Sequence, residues 1–393
     1  MRRTTMLWEV FVRRFEEAFE QYKRQRLTGE EAGELLGMSG RHFRRLCVRY
    51  EEDGVEGLRD RRIGKLSPHR APERELERMQ ALYRERYGDF TMKHFHEHLV
   101  ERHGYKLGYT VTRLSLQAAG LVAKAKRRGA HRKKRIRRPL PGMLLFQDGS
   151  THRWIVALER DHDLIVTLDD ATGEIYSAIV VEQEGTLPSF LGLAETIGEQ
   201  GLFSAFYTDR SSHYFVTPKG GGKVDKTQLT QVGRALSQLG ITHIASYSPQ
   251  GRGRMERVFG TLQKRLPQEL RLARIKTVAG ANRYLKERFV PDYNARFAVP
   301  AAEPGSAFIG YVGRPIEEVL CIQEDRVVGA DNCVSWNRRS LQIPPQRHRR
   351  HYVRASVRVH EYPDGRLAIF DGPRCLARFD QKGRQTDVTS QAA

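Results

Sequence analysis

The chain has 393 residues, a length that predicts two to four domains rather than a single compact core. Its 67 Lys and Arg exceed its 47 Asp and Glu, and the formal net charge of +20 indicates a polyanionic partner, for which DNA is the first candidate. Four cysteines without close pairing argue against a disulfide framework or a zinc site, and the lack of a long apolar stretch or signal-peptide region predicts a soluble cytoplasmic protein.

The first segment, 1–57, predicts a helix-turn-helix unit. Thr28 and Glu31 have the spacing of a capping box, Gly37 ends that helix, and Ser39 can cap the next one. The second helix has apolar residues on one side and arginines on the other, which favours DNA binding over the alternative, an ordinary antiparallel helix pair. The arginines expected to face DNA are Arg41, Arg44, Arg45 and Arg49.

A linker and a second helical unit follow. Residues 58–72 are rich in Gly, Pro and charge, as is typical of a linker. Three helices are predicted after it, over Glu73–Tyr87, over Thr91–His103 with a threonine cap, and over Val111–Ala119 with a closing glycine.

Three histidines in the second of these helices, His94, His96 and His98, alternate along the chain. Spacings of two residues place neighbours on different faces of a helix. We therefore interpret them as surface histidines rather than as metal ligands.

The segment 124–139 is strongly basic, and no acid stands between Glu101 and Asp148. It has few core-forming residues and ends at Pro139, so it predicts a linker that lies on the phosphate backbone. The alternative is a solvated or disordered charge run. The residues expected to contact phosphates are Lys124, Lys126, Arg127, Arg128, Arg132, Lys133, Lys134 and Arg135.

Three acids in the middle of the chain stand in contexts that predict a metal site. Asp148 follows the apolar run Leu144–Gln147 and Asp209 follows Leu202–Thr208, so each aspartate is expected at the end of a strand. Glu256 lies in a helical stretch that begins after turn residues. Carboxylates that converge from two strands and a helix can hold a pair of hard divalent cations, a site suited to phosphoryl chemistry.

Other groups compete for this assignment. Asp169 and Asp170 end a strand and precede Gly173, so a hairpin turn explains them. Asp163 belongs to a short charged stretch and is expected to be solvated. His213, four residues after the second aspartate, could approach a phosphate or have a structural role.

The segments around these acids resemble the catalytic core of bacterial insertion-sequence transposases, within the superfamily of transposases and retroviral integrases. The strings that carry the resemblance are QDGSTHRW, IVTLDDATGEIYSAIVVEQEGT, YTDRSSHYF and SPQGRGRMERVFGTLQKRL. The resemblance implies a ribonuclease H-like fold in which Asp148, Asp209 and Glu256 form an Asp, Asp, Glu catalytic triad. It further implies that the triad binds two Mg²⁺ ions, or Mn²⁺, and that Asp148 touches both.

The same resemblance suggests further DNA contacts. The helices of the second unit resemble the second helix-turn-helix of these transposases, with Arg113 as the expected contact. The basic residue usual in the family two turns beyond the glutamate is replaced by Gln263. We expect its contact to pass to one of Lys264, Arg252, Arg254 and Arg257.

The last part, 315–380, alternates apolar and polar residues and has Pro363 and Gly365 at a turn, which predicts a small antiparallel barrel or meander. No acid stands between Asp331 and Glu361, so this part is also basic. It resembles the SH3-like domain that follows the core in transposases and integrases, where it binds DNA or supports assembly.

The predicted protein is therefore a DNA transposase with all-α helix-turn-helix units, an α/β ribonuclease H-like core and a small all-β SH3-like barrel. It would act on the inverted-repeat ends of its element and on target double-stranded DNA, as a homo-oligomer, without a membrane or a small-molecule cofactor. A regulator without catalysis and a ribonuclease H-like nuclease that does not join strands are the alternatives. The predicted boundaries are 1–57, 58–72, 73–123, 124–139, 140–310, 315–380 and a polar tail over 381–393.

Overall fold

The structure is a computed structural model that describes residues 2–60, 70–124, 135–218, 222–225, 227–247 and 249–386. The chain forms two compact units, Met1–Arg78 and Met79–Ala393, and each is described by itself. None of the helices within the described residues has the length and apolar character needed to cross a bilayer.

The first unit is the predicted helix-turn-helix. Thr28 caps the second helix in a complete capping box with Glu31, and Ser39 caps the third. The rings of Phe15 and Phe43 meet at the centre with their centroids 5.6 Å apart, and both are fully buried. The helices are α1 (Arg2–Lys23), α2 (Gly29–Leu35) and α3 (Gly40–Asp53), followed by a 3₁₀ turn over Gly54–Leu58.

The next three helices agree with the sequence to within two residues at each end. Thr91 caps the middle helix, and Gly104 ends it in the left-handed conformation that glycine adopts without strain. The helices are α4 (Glu73–Arg86), α5 (Met92–His103) and α6 (Tyr109–Ala118).

A five-stranded mixed sheet forms the centre of the second unit, in the order β3-β2-β1-β4-β5. The first three strands are antiparallel, whereas β4 runs parallel to β1 and β5 parallel to β4. In chain order the elements are β1 (Leu145–His152), β2 (His162–Asp169), β3 (Ile175–Val181), α7 (Thr186–Gln200), β4 (Ala205–Thr208), α8 (Gln231–Gln238), β5 (Thr242–Ala245), α9 (Pro249–Leu262), α10 (Leu266–Leu272), α11 (Val278–Tyr284), a π-helical turn (Leu285–Phe289) and α12 (Val290–Phe297).

Apolar layers cover both faces of this sheet because side chains alternate along each strand. Phe146 of β1 packs on one face with Phe259 of α9 and Leu270 of α10. Leu145, its neighbour in the chain, packs on the opposite face with Phe190 of α7 and Leu236 of α8. The result is an α/β core in which α9 lies across one face and can carry its polar side chains towards the strands.

The C-terminal region is rich in β structure, as expected. Gly365 adopts a φ of 82° in the predicted turn between two of its strands. The strands form a five-stranded sheet in the order β12-β11-β10-β9-β6 and a separate β7-β8 hairpin. They are β6 (Ile322–Val327), β7 (Cys333–Trp336), β8 (Arg339–Gln342), β9 (Ser356–Glu361), β10 (Leu367–Asp371), β11 (Arg374–Phe379) and β12 (Gln385–Thr386).

A short strand lies within the segment predicted to be a polar tail from residue 381. Gln385 and Thr386 pair with Phe379 and Arg378, so the sheet extends past that boundary. Alternating apolar residues stop earlier, and the short strand is added by backbone pairing alone, which composition does not reveal.

Candidate active site

Asp148 and Asp209 lie where two parallel strands part. Pairing between β1 and β4 stops at Phe146 and Tyr207, and Asp209 follows directly after β4. The prediction that Asp148 ends its strand is wrong. β1 continues for four more residues because its other edge pairs with β2, where Asp148 lies opposite Val166. The two carboxylates therefore face a gap that opens in the middle of the sheet.

A guanidinium from α9 enters this gap. Nη2 of Arg252 donates to both carboxylate oxygens of Asp148, at 2.7 and 2.6 Å, and Nη1 lies 3.9 Å from Oδ2 of Asp209. Asp148 is only 8% exposed, and burial raises its pKa while Arg252 opposes that rise. Asp209 is oriented by Ser211, whose backbone N–H and hydroxyl donate to it at 3.0 and 2.6 Å.

Glu256 is not gathered with the two aspartates. It lies one turn after Arg252 on the same face of α9 and is exposed, while Met255 and Phe259 anchor the helix in the core. Within the described residues, oxygens of Asp148, Asp209 and Glu256 do not all lie within 4.8 Å of one another. The structure thus brings together two of the three predicted acids and places the third beside their common arginine.

A fourth acid, Glu184, was missed by the sequence analysis. It stands between β3 and α7 and approaches β1 next to Asp148, at Gly149. Burial raises the pKa of Glu184 to about 7, and the charges of Asp209 and Asp148 add to the rise. The only signal in the sequence was its place within VEQEGT, a string that carried the family resemblance but stood outside the triad.

Asp163 is buried, so the expectation that it is solvated is wrong. It accepts the backbone N–H of Glu184 at 2.6 Å and a hydrogen bond from the hydroxyl of Thr151. A carboxylate buried with such donors is stabilised by them. Asp163 therefore fixes the position of residue 184 relative to β1.

His213 faces Glu184 with its Nε2 atom 3.4 Å from Oε1. The distance is within reach of an ion pair, but the geometry does not make a hydrogen bond, and the described part of the chain gives neither atom a hydrogen-bond partner. Burial lowers the pKa of His213. The structure thus places this side chain beside Glu184.

Asp169 and Asp170 have structural roles in the β2–β3 turn, as the sequence indicated. Asp169 accepts backbone N–H groups of Gly142 at 3.0 Å and Thr172 at 2.8 Å. Asp170 is fully buried and forms ion pairs with Arg254 and Arg135. These two arginines, which were predicted to bind DNA, thus neutralise a buried carboxylate within the fold.

The arginines of α3 differ in their surroundings. Arg41 and Arg45 are exposed, whereas Arg44 pairs with Glu30 at 2.9 Å. Arg49 does not face outward as predicted: it is half-buried and donates to the carbonyl oxygen of Arg59. The chain after α3 folds back onto the helix there, and that return is not visible in the helical periodicity.

The other predicted DNA contacts have varied exposure. Lys124, Arg257 and Lys264 are exposed, and Arg113 of α6 is half-buried. Gln263, which replaces the usual basic residue, donates to the hydroxyl of Ser150 at 3.1 Å. The remaining predicted contacts lie outside the described residues: Lys126, Arg127, Arg128, Arg132, Lys133 and Lys134.

The expectation that all three histidines of α5 lie on the surface is wrong for two of them. His94 and His98 are 2% and 3% exposed, and their Nε2 atoms lie 2.8 and 2.7 Å from the same carboxylate oxygen of Glu269 on α10. His94 and His98 are four residues apart and therefore share a helix face. The sequence analysis considered only the spacing of two between neighbouring histidines. Both contacts have hydrogen-bond lengths, so we interpret the trio as a polar joint between α5 and the core.

The acids at the sheet gap fit a hard divalent cation. Carboxylate oxygens are the ligands that Mg²⁺ and Mn²⁺ prefer. Asp148 and Asp209 meet at Arg252, and Glu184 reaches β1 at Gly149, but within the described residues the oxygens of these three acids do not all lie within 4.8 Å of one another. In this structure the positive charge beside them is the guanidinium of Arg252, in a position where a cation would be attracted. Glu256, on the same helix, can supply a further oxygen.

Comparison with known proteins finds a matching domain family for the N-terminal region and similar bacterial proteins for most of the chain. Residues 16–65 match a helix-turn-helix domain family. A Sinorhizobium fredii protein named transposase y4bF is 34% identical over 348 residues, covering 88% of this chain and 75% of that protein. The transposase for insertion sequence IS1202 of Streptococcus pneumoniae is 27% identical over 305 residues, covering 69% of this chain and 65% of that protein.

Two solved structures are also similar. The HTLV-2 integrase catalytic core domain in complex with magnesium covers 37% of this chain and 83% of its own, at 16% identity and a TM-score of 0.28. The simian T-cell lymphotropic virus intasome in complex with the PP2A regulatory subunit B56 gamma covers 79% of this chain and 99% of its own, at 14% identity and a TM-score of 0.33.

Proposed function

Because this chain belongs to the family of insertion-sequence transposases, we propose that it binds the inverted-repeat ends of its element, cleaves DNA there to free 3'-hydroxyls, and joins them to target DNA. The observation that carries the proposal is the meeting of Asp148 and Asp209 at Arg252, where β1 and β4 part. Two carboxylates fixed at one point supply ligands for the cations that assist in-line displacement at phosphorus.

Asp148, Asp209 and Glu256 would hold two Mg²⁺ ions, or Mn²⁺. Bound there, the ions would activate the attacking oxygen and stabilise the leaving oxygen. Arg252 neutralises the aspartates before a cation enters, and its planar guanidinium can then bind a phosphate oxygen instead. Glu256 is exposed one turn away on α9, where it can close on the site when DNA is bound. No protein nucleophile is required for this chemistry.

Double-stranded DNA is the proposed partner, at the element ends and at the target. The net charge of +20 favours a polyanion, and Arg41 and Arg45 are exposed on α3. Arg257 and Lys264 are exposed near Glu256, which suits contact with terminal DNA. Two ends must be handled together, so we propose a homo-oligomer on DNA, with the C-terminal β region, of SH3-like type, supporting assembly in the cytoplasm.

A strand-joining assay tests the proposal. Full-length protein and the Asp148→Asn variant are incubated with Mg²⁺, labelled DNA of the element ends and a target plasmid, with exposed Asp161→Asn as the matched control. We expect joined products from the wild type and the control, and end binding without products from Asp148→Asn. Binding without cleavage by every protein would indicate the regulator, and cleavage without joining would indicate the nuclease.

A further inference from the structure

The carboxylate of Glu184 occupies the space that a side chain at position 149 of β1 would fill, and it has that room because residue 149 is a glycine. A Cβ atom at Gly149 would lie 2.3 Å from Oε2 of Glu184 and 2.8 Å from its Cδ. Such distances are far below van der Waals contact, so any larger residue at position 149 would displace this carboxylate. The glycine stands directly after Asp148. Because side chains alternate along β1, Glu184 approaches the strand on one face at position 149, while Asp148 points to the other face towards Arg252 of α9.

The backbone holds residue 184 in this place. Its N–H donates to the buried carboxylate of Asp163 at 2.6 Å, and Asp163 lies opposite Thr151 in the β1–β2 ladder. Residue 184 is thus tied to the same stretch of β1 that carries Asp148. The side chain is mostly buried, with 26% of its surface exposed, and its Oε1 atom faces His213.

The fold compensates the charge of this carboxylate only in part: Arg252 attracts it, but the neighbouring acids outweigh that attraction. Oε1 of Glu184 is buried without a hydrogen-bond partner among the described residues, and His213 faces it at 3.4 Å without donating. The nearby charges of Asp209, Asp148 and Asp163 all repel it. A buried, repelled and unsatisfied carboxylate is costly unless another positive group balances it. A divalent cation between these acids would provide that balance.

We infer that Glu184 is a fourth acidic residue of the active site, whose carboxylate binds the divalent cation together with Asp148 and Asp209. The inference rests on the proposed function, because it concerns the same cation. Asp163 is a positioning residue in this arrangement, since it holds the backbone of residue 184. Gly149 is required because it leaves room for the Glu184 side chain.

Metal binding and metal-free stability test this role together. Mn²⁺ affinity is measured by calorimetry on the full chain, and thermal unfolding is measured in EDTA. We expect Glu184→Gln to weaken Mn²⁺ binding about tenfold or more, while its melting temperature in EDTA is equal to or above that of the wild type, because a repelled charge is removed. Wild-type affinity in this variant, or a melting temperature in EDTA well below the wild type, would overturn the inference.

Gly149→Ala tests the geometry without altering an acid. A methyl group at this position should displace Glu184 and weaken Mn²⁺ binding in the same way. The matched control is Gly198→Ala, an exposed helical glycine of α7 whose added Cβ meets no atom within 4 Å. We expect the control to bind Mn²⁺ as the wild type does. Unchanged affinity in Gly149→Ala would contradict the proposed approach of Glu184.

Strand joining by the same proteins separates the two proposals. If the wild type neither binds Mn²⁺ nor joins strands, the proposed function fails and this inference fails with it. If the wild type does both, and Glu184→Gln retains its affinity and its joining rate, the function stands and only the role of Glu184 is overturned.

Discussion

Individual acids of the core depend on arginines that the sequence had assigned to DNA. Asp148 is neutralised by Arg252, and Asp170 by Arg254 and Arg135. The acids could be predicted because they stand in informative strings. Their partners could not, since Arg252 is 104 residues from Asp148 and only the fold brings them together. Glu184 escaped prediction for the same reason, because its proximity to β1 depends on Gly149 and Asp163.

Loss of the Arg252 guanidinium should make the free energy of unfolding depend more strongly on Mn²⁺. Arg252→Gln leaves the buried Asp148 without its ion pair, and we expect a loss of about 1–2 kcal/mol in EDTA, since the 36% exposure of the arginine side chain reduces the effect. Mn²⁺ should stabilise the variant more than the wild type. Chemical denaturation with and without Mn²⁺ measures both quantities, with exposed Arg257→Gln as the control. Equal stability of Arg252→Gln and wild type in EDTA would contradict the account.

Elements with local signals were predicted well, and those set by long-range pairing were not. Thr28, Ser39 and Thr91 marked helix starts that the structure confirms, because a cap needs only the next three residues. The length of β1 beyond Asp148 and the existence of β12 depend on neighbouring strands distant in sequence. The same limit applies to α5, whose buried histidines face a glutamate about 170 residues away.

The joint between α5 and α10 should contribute to the stability of the second unit. Glu269 accepts from His94 and His98 and lies 3.5 Å from Arg102. Replacement of this carboxylate by Ala leaves buried imidazoles without their partner, and we expect a loss of about 2–4 kcal/mol. Urea unfolding of Glu269→Ala measures it, with exposed Glu287→Ala as the control. A loss no larger than that of the control would show that the joint contributes little.

The C-terminal sheet should lose stability in acid because of His360. This side chain of β9 is buried, stacks on Phe370 at 4.3 Å, and has its pKa lowered to about 4, mainly by burial and further by the surrounding arginines. The arginines that lower it are Arg234, Arg358, Arg314 and Arg378.

An imidazole kept neutral by the fold takes up a proton more readily when unfolded, so its contribution is full above pH 6.5 and declines as the pH falls towards 4. The loss should reach about 2–3 kcal/mol. We expect His360→Phe, which preserves the stacking, to show a flatter dependence of unfolding free energy on pH in this range. Parallel curves for variant and wild type would exclude the proposed role of His360.

At the scale of the whole molecule, charge and organisation agree with a protein that handles DNA. The net charge of +20 was readable from composition, and the family follows from relatives that cover most of the chain. The helical units, the α/β core and the β-rich C-terminal region appear in the predicted order. The closure of the C-terminal strands into a barrel stays a proposal, because the hairpin β7-β8 forms a sheet of its own.

End recognition should depend on the exposed arginines of α3. We expect Arg41→Ala combined with Arg45→Ala to weaken binding to the element ends and to lower the salt dependence of binding by about two units of slope, if each arginine contacts one phosphate. The double variant Arg13→Ala and Arg24→Ala removes equal charge from exposed positions of the same unit and serves as the control. Fluorescence anisotropy at several salt concentrations measures both effects. Equal weakening in the two double variants would indicate only a general effect of charge.

The role of Glu256 is the most direct test of the account, because it is the predicted catalytic acid that the structure leaves exposed beside Arg252. The measurement is the single-turnover rate of strand joining in Mg²⁺ by wild type, Glu256→Gln and the exposed control Glu303→Gln. We expect Glu256→Gln to bind the ends as the wild type does but to form joined products at least about a thousandfold more slowly, while the control joins normally. Joining by Glu256→Gln at the wild-type rate would contradict this expectation.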